Sequence, residues 1–169
     1  MTDPMPAFPE WRPLLPADLP RVRAISEIVH PDLPERLDVL SEKRALFPEG
    51  CLGFSGSEIL GYGLAHPWVL GRIPALDGFL GGLPHSPDCL YVHDVALLPA
   101  ARGQGGASRY IAAMAAMARS RGLRRLACVA VYGAERLWSA LGFEEVADEA
   151  SEPKLRSYGE GALYMVRRL

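Results

Sequence analysis

Features typical of secreted, membrane-spanning and zinc-dependent proteins are missing from this chain. It has three cysteines, Cys51, Cys89 and Cys128, none of them in a C-x-x-C pair. An odd, scattered set of this kind argues against a disulfide framework and predicts buried free thiols. The four histidines lack the spacing of zinc ligands, so we expect no metal. No apolar run approaches the ~20 residues of a membrane helix, and we expect no membrane partner.

An excess of charge of one sign is also missing. The chain has 18 Lys and Arg residues against 20 Asp and Glu, a net charge of −2 and an isoelectric point near 6.1. It therefore has no global basic field to attract nucleic acid. Residues 1–11 lack the basic and apolar regions of a signal peptide, which indicates a cytoplasmic protein. Without linkers or repeats in 169 residues, one domain is expected over residues 1–169.

Hydrophobic periodicity predicts an alternation of strands and helices. Strands are predicted at 11–15, 51–56, 58–70, 89–98, 124–131, 143–148 and 162–169, and helices at 19–30, 34–47, 105–121 and 134–141. Residues 71–88 are rich in Gly and Pro and are predicted to form a long loop, a feature that is often functional in compact domains. This order indicates an α/β fold with helices flanking the central strands.

The segment 102–107, RGQGGA, lies between a predicted strand and a predicted helix. Exposed N–H groups at a helix start bind anions, so the segment is a candidate phosphate site. A P-loop needs a lysine that is missing here, and a dinucleotide fingerprint needs a glycine at Ser108 and an acidic residue where 123–125 are Leu, Arg and Arg. The pattern Arg/Gln-x-x-Gly-x-Gly/Ala fits, as Arg102, Gly105 and Ala107.

That pattern resembles the GNAT superfamily of acyl-CoA-dependent N-acyltransferases. HDVALLPAARGQGG (93–106) is similar to the family's fourth strand and pyrophosphate loop, and AERLWSALGFEEV (134–146) to a later helix and strand. The resemblance implies a mixed, mostly antiparallel central sheet flanked by helices. It also implies an enzyme that moves an acetyl group from acetyl-CoA to a primary amine, here expected to be a small molecule, by direct transfer in a ternary complex. The alternatives are a protein N-terminal or lysine acetyltransferase and a non-catalytic acyl-CoA-binding module.

The resemblance further implies which residues bind coenzyme A. Backbone N–H groups of 103–107 would bind the pyrophosphate, and the strand before them would hold the thioester end, where a backbone N–H polarises the acetyl carbonyl. The implied set is Val95, Leu97, Arg102, Gly103, Gln104, Gly105, Gly106, Ala107, Ser108 and Trp138.

Candidate proton-transfer groups follow from residue chemistry. His93, on an otherwise apolar strand, is either the general base or a hydrogen-bonded core histidine. Asp94 is a reserve base that strand alternation would point to the opposite face. Trp138 stands where many family members have a tyrosine that protonates the thiolate, and an indole cannot do so. Either Tyr132 substitutes for that tyrosine, or the thiolate leaves unaided.

The acceptor site and the assembly are less defined by sequence. The family resemblance implies that the acceptor binds against segments 26–47 and 71–88, with Pro67, Trp68, Asp77 and His85 as candidate contacts. The apolar run ALYMV (162–166) in the last strand predicts an exposed sheet edge and a homodimer.

Overall fold

A seven-stranded sheet with helices on both faces forms the protein. The computed structural model describes residues 8–147 and 152–169. The strands are β1 (Glu10–Pro13), β2 (Leu52–Ser55), β3 (Ile59–Trp68), β4 (Cys89–Leu97), β5 (Arg125–Ala130), β6 (Glu144–Glu145) and β7 (Leu163–Arg168). The helices are α1 (Leu19–Val29), α2 (Leu37–Leu46), α3 (Gly106–Ser120), α4 (Glu135–Ala140) and α5 (Glu152–Arg156).

The predicted elements are confirmed and mostly have shorter ends, although β1 begins one residue earlier than predicted, and the mixed sheet flanked by helices is the predicted fold. Helix α1 ends before Pro31, because the residue ahead of a proline is disfavoured in helical conformation. The strand predicted over 143–148 is reduced to β6, and Asp148 lies outside the described residues. Helix α5 was not predicted, since five residues carry too little periodicity.

The strand order is β1-β2-β3-β4-β5-β7-β6, and every neighbouring pair is antiparallel except β4 with β5. The parallel pair is short: Leu90 lies opposite Leu126 and Tyr91 opposite Ala127, and no later residues pair. Since β4 continues to Leu97 and β5 to Ala130, the two strands diverge and open a cleft in the middle of the sheet.

A bulge in β4 lies beside this cleft. Leu64 of β3 pairs with Asp94, whereas the next residue, Ala65, pairs with Val92, so His93 is the extra residue. A bulge interrupts the alternation of side chains across a sheet. His93 and Asp94 therefore both reach the cavity described below. The prediction that Asp94 points away from His93 is wrong for this reason.

Helices α1 and α3 pack on opposite faces of the sheet. Tyr62 and Leu64 of β3 pack with Val22 and Ile25 of α1. On the other face, Gly63 lies against α3, where an added Cβ would come within 2.3 Å of the Tyr110 ring. The two layers fix the position of β4, which contacts both helices.

The last strand is not an edge, contrary to the basis of the predicted homodimer. Strand β7 pairs with β5 along its length and with β6 at Val166 and Met165. In the described part of the chain the edges are β1 and β6, and β6 presents Glu144 and Glu145. None of the described helices has the length and hydropathy needed to cross a bilayer.

Candidate functional site

A cavity of about 720 Å³ occupies the cleft where β4 and β5 diverge. Its volume is in the range of ~300–1,000 Å³ that holds small ligands and cofactors. Of the predicted coenzyme A residues, those that line it are Val95, Leu97, Arg102, Gly103, Gly105, Gly106, Ala107, Ser108 and Trp138. Gln104 is absent from the lining. The cavity is therefore formed both by the loop motif, which is local in the sequence, and by the separation of β4 from β5, which is a long-range feature.

The glycines of the loop before α3 have two different structural causes. Gly103 and Gly105 adopt left-handed backbone with φ of 78° and 71°, and a Cβ added to either would meet no atom within 4 Å. Backbone conformation, not crowding within the protein, therefore requires glycine there. At Gly106 a Cβ would approach Leu97 and Phe54 to 3.3 Å. The loop lines the cavity at the start of α3, where uncovered N–H groups would form an anion site.

Arg102 joins this loop to the end of β4. Its Nε donates a hydrogen bond of 3.1 Å to the carbonyl oxygen of Leu97. The side chain is exposed and reaches the cavity wall. Arg102 therefore fixes the turn and also supplies positive charge beside the loop.

Trp138 and Tyr132 line the cavity in different environments. The Trp138 ring is buried and packs edge-on against Phe143, with centroids 5.1 Å apart. Tyr132 is half exposed and has a left-handed backbone with φ of 54°. Its hydroxyl accepts a hydrogen bond of 3.2 Å from the backbone N–H of Asp32, and its ring stacks on His30.

His93 belongs to a buried network of three ionisable side chains. Its Nε2 lies 2.7 Å from Oε1 of Glu35, and Nζ of Lys43 lies 3.6 Å from Oε2, with side-chain exposures of 2% for His93, 7% for Glu35 and 1% for Lys43. Burial raises the pKa of Glu35, but the charges of His93 and Lys43 outweigh it and lower that pKa to about 2. Burial lowers the pKa of Lys43, although Glu35 opposes it. The Nδ1 atom of His93 has no hydrogen-bond partner among the described residues.

A second histidine–carboxylate pair lines the same cavity. The Nε2 atom of His30, just after α1, lies 2.8 Å from Oδ1 of Asp94. The Tyr62 hydroxyl donates a short hydrogen bond to the other carboxylate oxygen. Burial lowers the pKa of His30, but the charge and hydrogen bond of Asp94 more than offset it, and the pKa is raised. The Nδ1 atom of His30 also lacks a partner in the described chain.

His30, Glu35, Lys43 and Tyr62 were not identified as functional candidates from the sequence. Their partners are distant in the chain: His30 and Asp94 are 64 residues apart, and Glu35 and His93 are 58 residues apart. No local motif encodes such pairs, and only the packing of the α1–α2 segment against β4 brings them together.

The four predicted acceptor contacts are absent from the cavity wall. Trp68 is buried in a core cluster with Ile73, beside Pro67 in β3. Asp77 accepts hydrogen bonds from the backbone and side chain of Arg36, and His85 is exposed. Other residues of the same part of the chain line the cavity instead, among them Leu33 and Leu76, together with Val29 and Tyr158.

Contacts from several directions hold the predicted loop 71–88. Glu42 accepts hydrogen bonds from the backbone of Leu80 and Gly81, and Lys43 donates to the carbonyl of Gly78. The Tyr158 hydroxyl donates to Pro74 at 2.6 Å. These contacts anchor the loop whose Leu76 lines the cavity.

Comparison with known proteins points to one family. A sequence model of the acetyltransferase (GNAT) family matches residues 15–143. No curated protein matches the sequence. In the described chain no group of three or more His, Cys, Asp or Glu could hold a metal ion.

Solved structures resemble the chain along most of its length. The loading GNATL domain of CurA from Lyngbya majuscula has a TM-score of 0.79 at 12% identity and covers 95% of this chain and 98% of its own. The GphF GNAT-like decarboxylase in complex with isobutyryl-CoA has a TM-score of 0.75 at 16% identity, with coverages of 94% and 98%. N-acetylglutamate synthase from Neisseria gonorrhoeae, complexed with coenzyme A and N-acetyl-glutamate, has a TM-score of 0.68 at 20% identity, with coverages of 96% and 35%. At these identities the likeness shows a shared fold.

Proposed function

The chain belongs to the acetyltransferase (GNAT) family, and on that premise we propose that it transfers an acetyl group from acetyl-CoA to a primary amine of a small molecule. One observation carries the proposal: a single cavity joins the loop before α3 to two histidine–carboxylate pairs. The loop suits the pyrophosphate of coenzyme A, and the histidines suit proton transfer.

Coenzyme A would enter along the cleft between β4 and β5. The N–H groups from Gly103 to Ala107 and the start of α3 would bind its pyrophosphate. Beyond Tyr91, β4 has no partner on its β5 side, so its free backbone groups can pair with the pantetheine amides. A free N–H near the bulge would then donate to the acetyl carbonyl and stabilise the negative charge that develops on its oxygen.

His93 would remove the proton from the attacking amine. Glu35 accepts a hydrogen bond from the Nε2–H of His93, so that in the neutral imidazole the lone pair is on Nδ1. The amine nitrogen attacks the thioester carbon in a ternary complex and loses its proton to Nδ1. The C–S bond then breaks, and its electron pair stays on sulfur. Holding both reactants beside this base supplies the proximity on which direct transfer depends.

The cavity walls favour a small acceptor over a protein. The side chains of Leu76 and Tyr158 line the cavity, and the segment that carries Leu76 is anchored by hydrogen bonds. A compact alkylamine fits these features better than a peptide does.

Release of free thiol from acetyl-CoA tests the proposal with three kinds of acceptor and a control. The acceptors are small primary amines, a peptide with a free N-terminus and a peptide with only a lysine amine, and the control is buffer alone. We expect release with a small amine at several times the rate in buffer. Thiol release with a peptide but not with small amines would identify a protein acetyltransferase. Binding of coenzyme A with no thiol release under any of these conditions would identify a binding module.

A further inference from the structure

The cavity wall extends onto the face of the sheet that lies away from α3. Side chains of a strand alternate between the two faces of a sheet. Along β5, Cys128 packs in the cluster that contains residues of α3, whereas Val129 packs against a separate cluster that includes Tyr158. Four residues that belong to this second cluster or pack against it also line the cavity, and we call them the apolar wall: Leu76, Val129, Val131 and Tyr158.

The apolar wall offers hydrocarbon surface to a ligand. Leu76, Val129 and Val131 are each only partly buried, so part of each side chain is uncovered when the cavity is empty. Tyr158 is buried, and its hydroxyl already donates its proton to the carbonyl oxygen of Pro74 at 2.6 Å. An apolar group that covers these side chains removes their surface from water, which favours binding.

Both carboxylates that line the cavity already have partners. Glu35 lies 2.7 Å from His93, and Asp94 lies 2.8 Å from His30. Among the described residues that line the cavity, the other charged side chain is Arg102, which lies beside the loop before α3. A second charged group on the acceptor would therefore lie against the apolar wall without a free counter-charge, and burying a charge in that way is unfavourable.

We propose that the acceptor is a primary amine attached to an uncharged apolar body, and that this body packs on the apolar wall while the amine is acetylated. The inference rests on the proposed acyl transfer and narrows the class of its acceptor. Burial of the body should raise affinity by up to about 4-fold for each CH₂ group. A carboxylate or a second ammonium in its place loses hydration and gains no partner, which should lower affinity ~10-fold or more.

Three amines with the same six-carbon chain test the effect of charge. Hexylamine has an apolar far end, hexamethylenediamine has a second ammonium there, and aminocaproate has a carboxylate. NMR titration into the protein–coenzyme A complex measures their binding without turnover, and we expect hexylamine to bind ~10-fold or more tightly than either analogue. Ethylamine, which has a shorter chain, should also bind more weakly than hexylamine.

Three results of this titration would overturn the proposed acceptor class. These are a charged analogue that binds as tightly as hexylamine, ethylamine that binds as tightly as hexylamine, and no detectable binding of hexylamine.

Leu76→Asp tests the apolar wall itself, because it places a negative charge there. Hexylamine should bind this variant more weakly and hexamethylenediamine more tightly, so that the preference for hexylamine falls ~10-fold or more. The matched control is Leu15→Asp, at an exposed leucine outside the cavity lining, which should keep the wild-type preference. An unchanged preference in Leu76→Asp, with intact coenzyme A affinity, would overturn the role of the wall. The comparison of amines in the wild type does not depend on how this variant folds.

Binding and turnover together separate this inference from the proposed function. A preference for hexylamine in binding, with no thiol release from acetyl-CoA, would reject only the acetyl transfer. Thiol release that is fastest with hexamethylenediamine or aminocaproate would reject only the acceptor class.

Discussion

Among single residues, His93 is the one on which the proposed proton removal depends. Replacing it with alanine should lower kcat by ~10²–10⁴-fold, the usual contribution of a general base. The affinity for coenzyme A should change little, since the loop before α3 is untouched. Steady-state kinetics and calorimetry check both parts, and an unchanged rate would leave His93 as a core histidine.

The ionisation of Glu35, the partner of His93, also contributes to the stability of the fold. Its pKa is lowered from 4.5 to about 2 in the folded protein, so its contribution to the free energy of unfolding is present above pH 4.5 and is lost as pH falls toward 2. Glu35→Gln leaves Lys43 buried without its counter-charge and should cost ~3–5 kcal/mol at pH 7. Urea unfolding at pH 7 and pH 3 measures this cost. The difference in the free energy of unfolding between variant and wild type should be smaller at pH 3.

The control for this measurement is Glu49→Gln. Glu49 is exposed, 3.6 Å from Arg121, and exposed pairs contribute about 0–1 kcal/mol. Two results would contradict the coupling of Glu35 to its buried partners. In the first, Glu35→Gln lowers the free energy of unfolding by no more than the control does. In the second, it lowers that free energy by the same amount at both pH values.

At this scale, residues whose chemistry is local could be identified from the sequence. His93 stands out as an imidazole on an apolar strand, and Asp94 beside it reaches the same cavity only because of a bulge that the strand pattern does not reveal. Glu35 and His30 are ordinary polar residues in the sequence. Their interactions arise from chain segments about 60 residues away, so no local rule could have found them.

At the scale of elements, the start of α3 was predictable and the cleft was not. The loop motif is contiguous, and the left-handed glycines Gly103 and Gly105 have a local backbone cause. The divergence of β4 from β5 depends on which residues pair across the sheet. Pairing of parallel strands is a long-range property that the hydrophobic pattern of either strand leaves open.

Helix α3 offers a matched pair of glycines to test the loop. Gly105 and Gly122 flank its two ends with φ of 71° and 73°, and a Cβ at either would meet no atom within 4 Å. Glutamate at each position therefore carries a similar backbone strain, of about 1 kcal/mol or somewhat more. Gly105→Glu adds bulk and negative charge to the phosphate site and should abolish coenzyme A binding. Gly122→Glu should retain it.

Calorimetric titration with coenzyme A measures both variants. The wild type and Gly122→Glu should also gain melting temperature when coenzyme A is added, because the ligand binds the folded state selectively. NAD and ATP should have much smaller effects. Equal coenzyme A affinity in the two variants would contradict the assignment of the loop.

The whole molecule protects the edges of its sheet. Strand β6 has only two residues, both glutamates, and β1 contains Arg12 and Pro13. Short strands, charges and proline each oppose pairing between sheets of different molecules. We therefore expect a monomer, and sedimentation at micromolar concentration should give a mass of 18.4 kDa. A stable species of twice that mass would show that another surface mediates assembly.

The fate of the acetyl group tests the central claim most directly. The purified protein is mixed with acetyl-CoA that carries an isotopic label in its acetyl carbons, together with small primary amines, and the products are examined by mass spectrometry. The account predicts that the label appears in an amide of one or more amines at a rate that Gly105→Glu reduces to the level without protein. Label found only in free acetate, or no consumption of acetyl-CoA beyond the level without protein, would contradict it.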